Sequence, residues 1–281
     1  IGLSFGFRAN IWNIGAEGQF IMGAIFSGAL GLAVYPQESL LLFPLMVAFG
    51  IIGGVFWASI PALLRTYFNT NEILVSLMLV YVAEQVLAAA SIGFLRNPEG
   101  AGFPGSRNLS QYPSAANLEI ISGSGIHWGV ATAFVSVIFF YILLYKHKFG
   151  FQVSLSGMSP KAARLSGVNP RFLVILCLAL SGGLAGLAGM FELTGPAGQI
   201  TIDFNVGYGF TAIIVAFLGR LNPIGILFSG ILMALTYVGG ELTQFMLNLP
   251  AAAIQVFQGM LLFFLLSMDL LVNYKIKLAR F

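Results

Sequence analysis

The chain has 281 residues, of which 58% are hydrophobic and only 8% charged, and its mean hydropathy is +0.92. A soluble domain carries about 25% charged residues, so this sequence cannot build a water-facing surface. It reads as an all-α polytopic transmembrane helical bundle, with residues 1–281 as one membrane domain; the net charge of +3 is too small to suggest nucleic acid, and the single Cys177 excludes an internal disulfide.

Residues 1–13 read as the tail of a helix carrying Arg8. No charged segment precedes this apolar start, so no signal peptide is expected, and the chain reads as opening at the end of a span, as a fragment of a longer protein. From Ile14 an apolar run extends to about Tyr35; it is long enough to cross, yet it opens with Asn13, Glu17 and Gln19. Leu40 to Ile60 forms the next span, ended by Pro61 and followed by a polar segment from Arg65 to Glu72. Residues 73–95 cross again, with Glu84 near the centre.

Residues 96–125 are the longest polar connection, rich in Gly, Pro, Asn and Ser, and residues 126–145 are a clean span. A basic stretch, 146–171, leads into a Gly-rich span that ends in SGGLAGLAG at 181–189. Residues 207–219 are too short to cross at the ~20 residues usually needed. The break RLNP at 220–223 separates them from 224–240, so 207–240 holds either two spans or a pair of half-helices. Residues 250–272 form the last span, trailed by Lys275, Lys277 and Arg280.

Charge orients the resulting set of about eight crossings. With 146–171 in the cytoplasm, alternation puts every Lys and Arg on that side except Arg96 and Arg107, which lie in the extracytoplasmic loop 96–125. The C-terminus is then cytoplasmic. Within the basic stretch, Ser159 is placed to N-cap, Pro160 suits a first helical position, and Gly167 closes the end in the left-handed conformation. The spacing predicts about two helical turns, ~10 Å long. Such a helix between spans either passes force to a cytoplasmic partner or belongs to an ordinary basic loop that fixes orientation.

Catalytic signals are absent. The two histidines, His127 and His147, stand at opposite ends of one span, so no metal site is expected. The spelling GxGxxG at 100–105 follows no strand and opens no helix, and reads as a flexible loop. No Gly-Lys dipeptide occurs, which excludes a P-loop; any ATP that drives this chain is bound by another polypeptide. Glu84 would cost roughly 3 kcal/mol facing lipid, so it faces the bundle or a watered cavity, as a pathway residue or as a hydrogen-bonded packing residue. Asn13, Glu17, Gln19, Asn71 and Glu72 lie nearer helix ends, where capping and interhelical hydrogen bonding are the simpler roles. Gly182, Gly183, Gly186 and Gly189 form a small-residue face for helix packing.

Four stretches carry a resemblance: NIGAEGQF at 13–20, TNEILVSLML at 70–79, SGGLAGLAG at 181–189 and GYGFTAIIVAFLGRLNPIG at 207–225. In this order they resemble the ABC importer permeases that serve sugars, branched-chain amino acids and nucleosides, and the NIGAEGQ form is most similar to the nucleoside and simple-sugar branch. SPKAARLSG also resembles the Glu-Ala-Ala-x-x-x-Gly pattern with which ABC permeases dock their ATPase: Ala162, Ala163 and Gly167 match, while Lys161 stands in place of the acid. The resemblance implies ATPase coupling through Ser159, Pro160, Lys161, Ala162, Ala163, Arg164 and Gly167. It implies a second permease, identical or homologous, two cytoplasmic ABC ATPases and an extracytoplasmic substrate-binding lipoprotein, in a bacterial plasma membrane. No cofactor is expected on the chain itself.

The expected function is therefore the permease subunit of an ATP-driven importer of nucleosides, purine nucleosides first, with ribose-like sugars as the close variant. Candidate translocation-path residues are Asn13, Glu17, Gln19, Asn71, Glu72, Glu84 and Phe210. From a different class, the alternative is an ion-coupled secondary transporter that uses Glu84.

Overall fold

The computed structural model describes residues 1–268, apart from positions 122, 249, 251, 254, 255, 258, 261, 262, 265 and 266. The last expected span, 250–272, falls largely outside the described residues, and Lys275, Lys277 and Arg280 lie outside them altogether. Residues Ile1–Phe210 form one unit and the chain from Thr211 a second. Helices dominate. In chain order they are α1 (Gly2–Arg8), α2 (Ala16–Val34), α3 (Leu42–Phe68), α4 (Glu72–Ile92), α5 (Trp128–Tyr145), α6 (Lys148–Met158), α7 (Pro160–Leu165), α8 (Pro170–Thr194), α9 (Tyr208–Leu218) and α10 (Pro223–Leu247). One small antiparallel hairpin, β1 (Glu119–Ile121) with β2 (Ile126–His127), sits in the long polar connection.

Six of these helices, α2, α3, α4, α5, α8 and α10, are long and apolar enough to cross a membrane. The count among the described residues is thus six, against about eight expected from charge alternation and span length. The difference has two sources: residues 207–219 form α9, which is too short to cross, and 250–272 falls largely outside the described residues. At 1.5 Å per residue, an 11-residue helix such as α9 reaches about 16 Å, half of a hydrocarbon core. In contrast α10 is a full-length helix, capped at its start by Asn222, whose side chain accepts from Ile224 N at 3.0 Å.

In the first unit α2, α3 and α8 pack closely because their contacts are built from glycine. Gly186 of α8 meets Gly23 of α2 on one side and Gly50 and Gly54 of α3 on the other, while Gly182 lies on Gly54 and Ala58. Backbones approach this closely only without Cβ atoms, and in lipid such van der Waals packing replaces the hydrophobic effect as the force between helices. The small-residue face read from the sequence is therefore the central seam. A Cβ on Gly186 would stand 2.8 Å from Gly54 N and press on Gly50 O. We expect Gly186→Ala to lower stability by about 1–3 kcal/mol, seen as a lower midpoint of thermal unfolding in detergent; an unchanged midpoint would show that the seam can spread.

Around this seam the outward faces are apolar: Val135, Ile138, Phe139 and Ile142 of α5 are all exposed, as lipid-facing positions require. Two buried clusters lie inside. One joins Phe20, Ile25, Met46, Leu87, Met190 and Leu193 to Leu109, Tyr112 and Ile200 from the connecting segments. The other gathers Phe5, Phe140, Phe149, Val153, Ala163 and Leu178, with the Phe5 ring stacked on Phe149 at 5.7 Å and edge-on to Phe140 at 5.1 Å.

Two expectations are corrected. Pro61 does not end its span; it sits inside α3, which continues to Phe68. Proline removes one helix bond, to the carbonyl of Trp57, and the buried neighbours Ala58 and Ala62 hold the turn across that gap. The GxGxxG stretch is a loop, in which Asn97 N donates to Gly105 O at 2.8 Å and Phe103 N to Gly100 O at 2.9 Å. Finally, most of 146–171 is helical, since α6 precedes the predicted short helix.

In the second unit, Ser229 Oγ donates to Val215 O at 3.0 Å and the Thr211 and Tyr237 hydroxyls lie 2.8 Å apart. The break between its helices is made by Arg220 and Leu221, both at positive φ (52° and 55°).

Candidate functional site

The polar residues at the start of α2 are organised by a chain reversal. α1 stops at Arg8, Asn10 takes φ 57°, a left-handed value that Asn tolerates, and residues 11–15 run irregularly back into the bundle. This return places Asn13 against Gln19 and Ser181. Asn13 Nδ2 donates to Gln19 Oε1 at 2.8 Å and to Ser181 Oγ at 2.9 Å, and Asn13 Oδ1 accepts from Gly15 N at 3.0 Å and Gln19 Nε2 at 3.1 Å. Asn13 and Gln19 are both fully buried. A satisfied cluster of this kind is rigid, and it ties the start of α2 to the middle of α8.

Glu17, also fully buried, faces the head of α9. Its Oε1 accepts from Gly207 N at 3.0 Å and its Oε2 from Gly209 N. The first N–H groups of any helix lack partners within the helix, and in a bilayer no water replaces them; a carboxylate from α2 supplies the acceptors here and complements the positive end of the helix dipole. The approach requires glycine twice. Gly207 has φ +84°, and a Cβ on Gly209 would run into the backbone of Glu17.

Two residues earlier in the chain, Asn205 Nδ2 donates to Glu84 Oε1 at 2.7 Å, and Asn205 Oδ1 accepts from Gly207 N at 3.3 Å. Phe204 stacks on Phe20 at 5.5 Å, with Tyr208 edge-on to the same ring at 6.1 Å. Glu17 and Glu84 thus converge on one short segment. Phe210, at the end of this first turn, is 37% exposed.

Asn71 and Glu72 lie elsewhere. Asn71 caps α4, accepting from Ile73 N at 2.9 Å. Glu72 pairs with Arg65 and also accepts from Trp12 N at 3.3 Å. This pair stands at the end of the unit that carries Arg8, whose Nη2 donates to Tyr145 Oη at 2.9 Å. The seven candidate residues are therefore not one constellation: Asn13 with Gln19, Glu17 with Glu84, and Asn71 with Glu72 are three separate ones.

At that same end lies the basic stretch. His147 caps α6, and Ser159 caps α7, its Oγ accepting from Ala162 N at 3.3 Å. Pro160 occupies the first turn of α7. Gly167 takes φ +80°, with Gly167 N donating to Arg164 O and Val168 N to Ala163 O, the left-handed finish expected of it. Lys161, Arg164 and Leu165 are exposed, Leu165 by 90%. Ala162 is half-buried. Ala163 instead packs into the buried cluster with Phe149 and Val153, so of the two alanines only Ala162 is accessible. Asn10 Nδ2 holds α6 through Gly157 O at 2.9 Å.

Sequence reasoning missed Arg65, Ser181 and Asn205 as partners, and it missed the glycine pair 207/209. One signal was present: an apolar run too short to cross has a helix end inside the bilayer, and that end needs an acceptor. Among the described residues no group of three or more His, Cys, Asp or Glu side chains converges to hold a metal.

Comparison with known proteins gives one consistent picture. The family described as branched-chain amino acid transport system / permease component matches residues 1–266. The glucose ABC transporter permease protein TsgB13 of Haloferax volcanii is 31% identical over 97% of this chain and 73% of its own length. The nucleoside ABC transporter permease protein NupB of Lactococcus lactis is 26% identical over 92% of this chain and 72% of its own. The guanosine ABC transporter permease protein NupP of Bacillus subtilis is 24% identical over 95% and 76%. No solved structure matches.

Proposed function

Because the chain belongs to the branched-chain amino acid transport system / permease component family of ABC importers, and is a multi-pass transport subunit and not an enzyme, we propose that it forms the translocation path for nucleosides, purine nucleosides first. The observation that carries this reading is the pair of relatives named for nucleoside and guanosine transport, each similar over more than nine-tenths of the chain. The polar clusters agree: Asn13, Gln19, Glu17 and Glu84 have their hydrogen-bond partners within the protein, which suits passage of an uncharged, hydroxyl-bearing solute. A sugar is the second reading, favoured by the glucose permease at 31% identity. Uptake of labelled guanosine, with unlabelled adenosine, ribose and glucose as competitors, separates them. Guanosine uptake that only adenosine competes supports a nucleoside, and uptake of labelled glucose with none of guanosine overturns it.

Family members work with an ABC ATPase and a substrate-binding protein. In our reading the end bearing Arg8, Arg65 and α7 is cytoplasmic, in a bacterial plasma membrane, and the C-terminus lies on that side. There α7 docks the ATPase through Lys161, Ala162, Arg164 and Leu165, with Ser159, Pro160 and Gly167 shaping the helix and Ala163 anchoring it to the permease. A second permease, identical or homologous, completes the path, and closure of the ATPase dimer switches its open side.

Ion coupling through Glu84 predicts something different. Glu84→Gln keeps an oxygen that accepts from Asn205, so we expect uptake to stay within about tenfold of wild type, the effect of exchanging a charged for a neutral acceptor. Loss of uptake in this variant, with ATPase activity intact, would support the ion-coupled alternative.

A further inference from the structure

The segment 195–207, between α8 and α9, is tied at two levels. On one side it is bonded to the long polar connection: Asn117 N donates to Thr194 O at 3.0 Å, Leu109 N to Gly198 O at 2.7 Å and Ser106 N to Ile200 O at 2.9 Å. Ile200 N returns a bond to Ser106 Oγ at 2.9 Å, and Ile200 is fully buried. On the other side it meets the two carboxylates, and these two ties differ in kind. Glu17 is fully buried and spends both oxygens on backbone N–H groups. Its release would strand Gly209 N in apolar surroundings and leave Gly207 N only the longer bond to Asn205 Oδ1. Glu84 and Asn205 are each only half-buried and meet through one side-chain bond. Rotation of either side chain opens that bond and turns its polar atoms toward accessible space.

We propose that Glu84 and Asn205 are positioning residues for transport: their hydrogen bond is a latch, closed in this structure and opened in each cycle, while Glu17 stays on α9 as the fixed pivot. Since the connection 97–117 is bonded to the same segment, displacing it draws on Asn205. The cavity of about 450 Å³ lined by Asn97, Phe103, Ser106, Gln199 and Asp203 opens between this connection and the segment that carries Asn205, so a partner that seats there acts on that segment. This inference rests on membership of the importer family and not on the choice of substrate.

The test uses the permease assembled with its ATPase in liposomes. Asn205→Ala removes the donor and leaves the Glu17 cap in place. Hydrolysis of ATP without binding protein is expected to rise about tenfold, the population shift that one charge-assisted hydrogen bond controls, and by a smaller factor in Glu84→Gln, which keeps a neutral bond. An assembled Asn205→Ala complex with the wild-type basal rate overturns the proposal.

Should that variant fail to assemble, Glu84→Cys with Asn205→Cys decides. The native Cys177 is buried, so a short reductant-cleavable bis-thiosulfonate bridges the introduced pair alone. Bridging is expected to abolish stimulation by the binding protein, and reductant to restore it. Stimulation that persists in the bridged protein shows a contact that never opens, and the latch is wrong. Guanosine or glucose is supplied according to which stimulates the wild type, so the substrate reading fails or stands separately.

Discussion

Lys161→Glu combined with Arg164→Glu is expected to abolish ATP-driven uptake while the permease still folds and reaches the membrane. Both side chains are exposed on α7, and neither is part of the buried cluster that Ala163 joins. The Ser159 cap and the Gly167 finish are backbone features that the exchange leaves alone. A glutamate at 161 even suits the positive end of the helix. What changes is the charge presented to the ATPase, and juxtaposed like charges at an interface cost several kcal/mol. At about 1.4 kcal/mol for each tenfold, that is a loss of more than a hundredfold in docking. The variant should therefore purify without its ATPase and show no uptake, with an unchanged thermal midpoint. Full uptake would rule out α7 as the docking helix.

Glu17→Ala should have the largest effect on stability. It leaves Gly209 N without its acceptor and Gly207 N with only the longer bond to Asn205 Oδ1 at 3.3 Å, next to a fully buried position. A buried donor left unpaired costs about 1–3 kcal/mol, to which the weakened bond at Gly207 N adds, with no water in the bilayer to compensate. The expected result is little monodisperse protein after extraction and a markedly lower unfolding midpoint. Glu17→Gln retains one acceptor oxygen and should recover part of the loss. If Glu17→Ala unfolds with wild type, the head of α9 has another partner and the cap contributes nothing.

These two residues also mark how differently parts of the chain were legible. α7 was readable because its signals are local: Ser159, Pro160 and Gly167 act on backbone groups within three or four residues. The same holds for the break at 220–223, where Asn222 caps α10, and for the glycine face of α8, whose spacing matches one side of a helix. Pro61 misled for a related reason. Its local effect is to break a helix, but the packing of α3 against α2 and α8 outweighs one missing bond. α6 was hidden in a stretch whose basic residues read as loop.

The polar candidates divide along the same line. That Glu84 faces inward followed from the cost of a carboxylate in lipid, and an interhelical bond for Glu17 from its place near a helix end. That both meet residues 205–209, about 120 and 190 positions away, did not follow from any local pattern. Asn205 and Gly209 are unremarkable neighbours in sequence, and only the folding of 195–207 back into the bundle brings them to α2 and α4.

By itself, then, the sequence determined the membrane setting, most of the spans and the short capped helix, since hydropathy and capping are sums over near neighbours. Tertiary structure alone decided which carboxylate accepts from which backbone, that α9 begins on Glu17, and that Ala163 faces the permease and not its partner. The reason is that a low-dielectric interior compels every polar group to find an acceptor or donor, while leaving its identity to the packing of helices far apart in the chain.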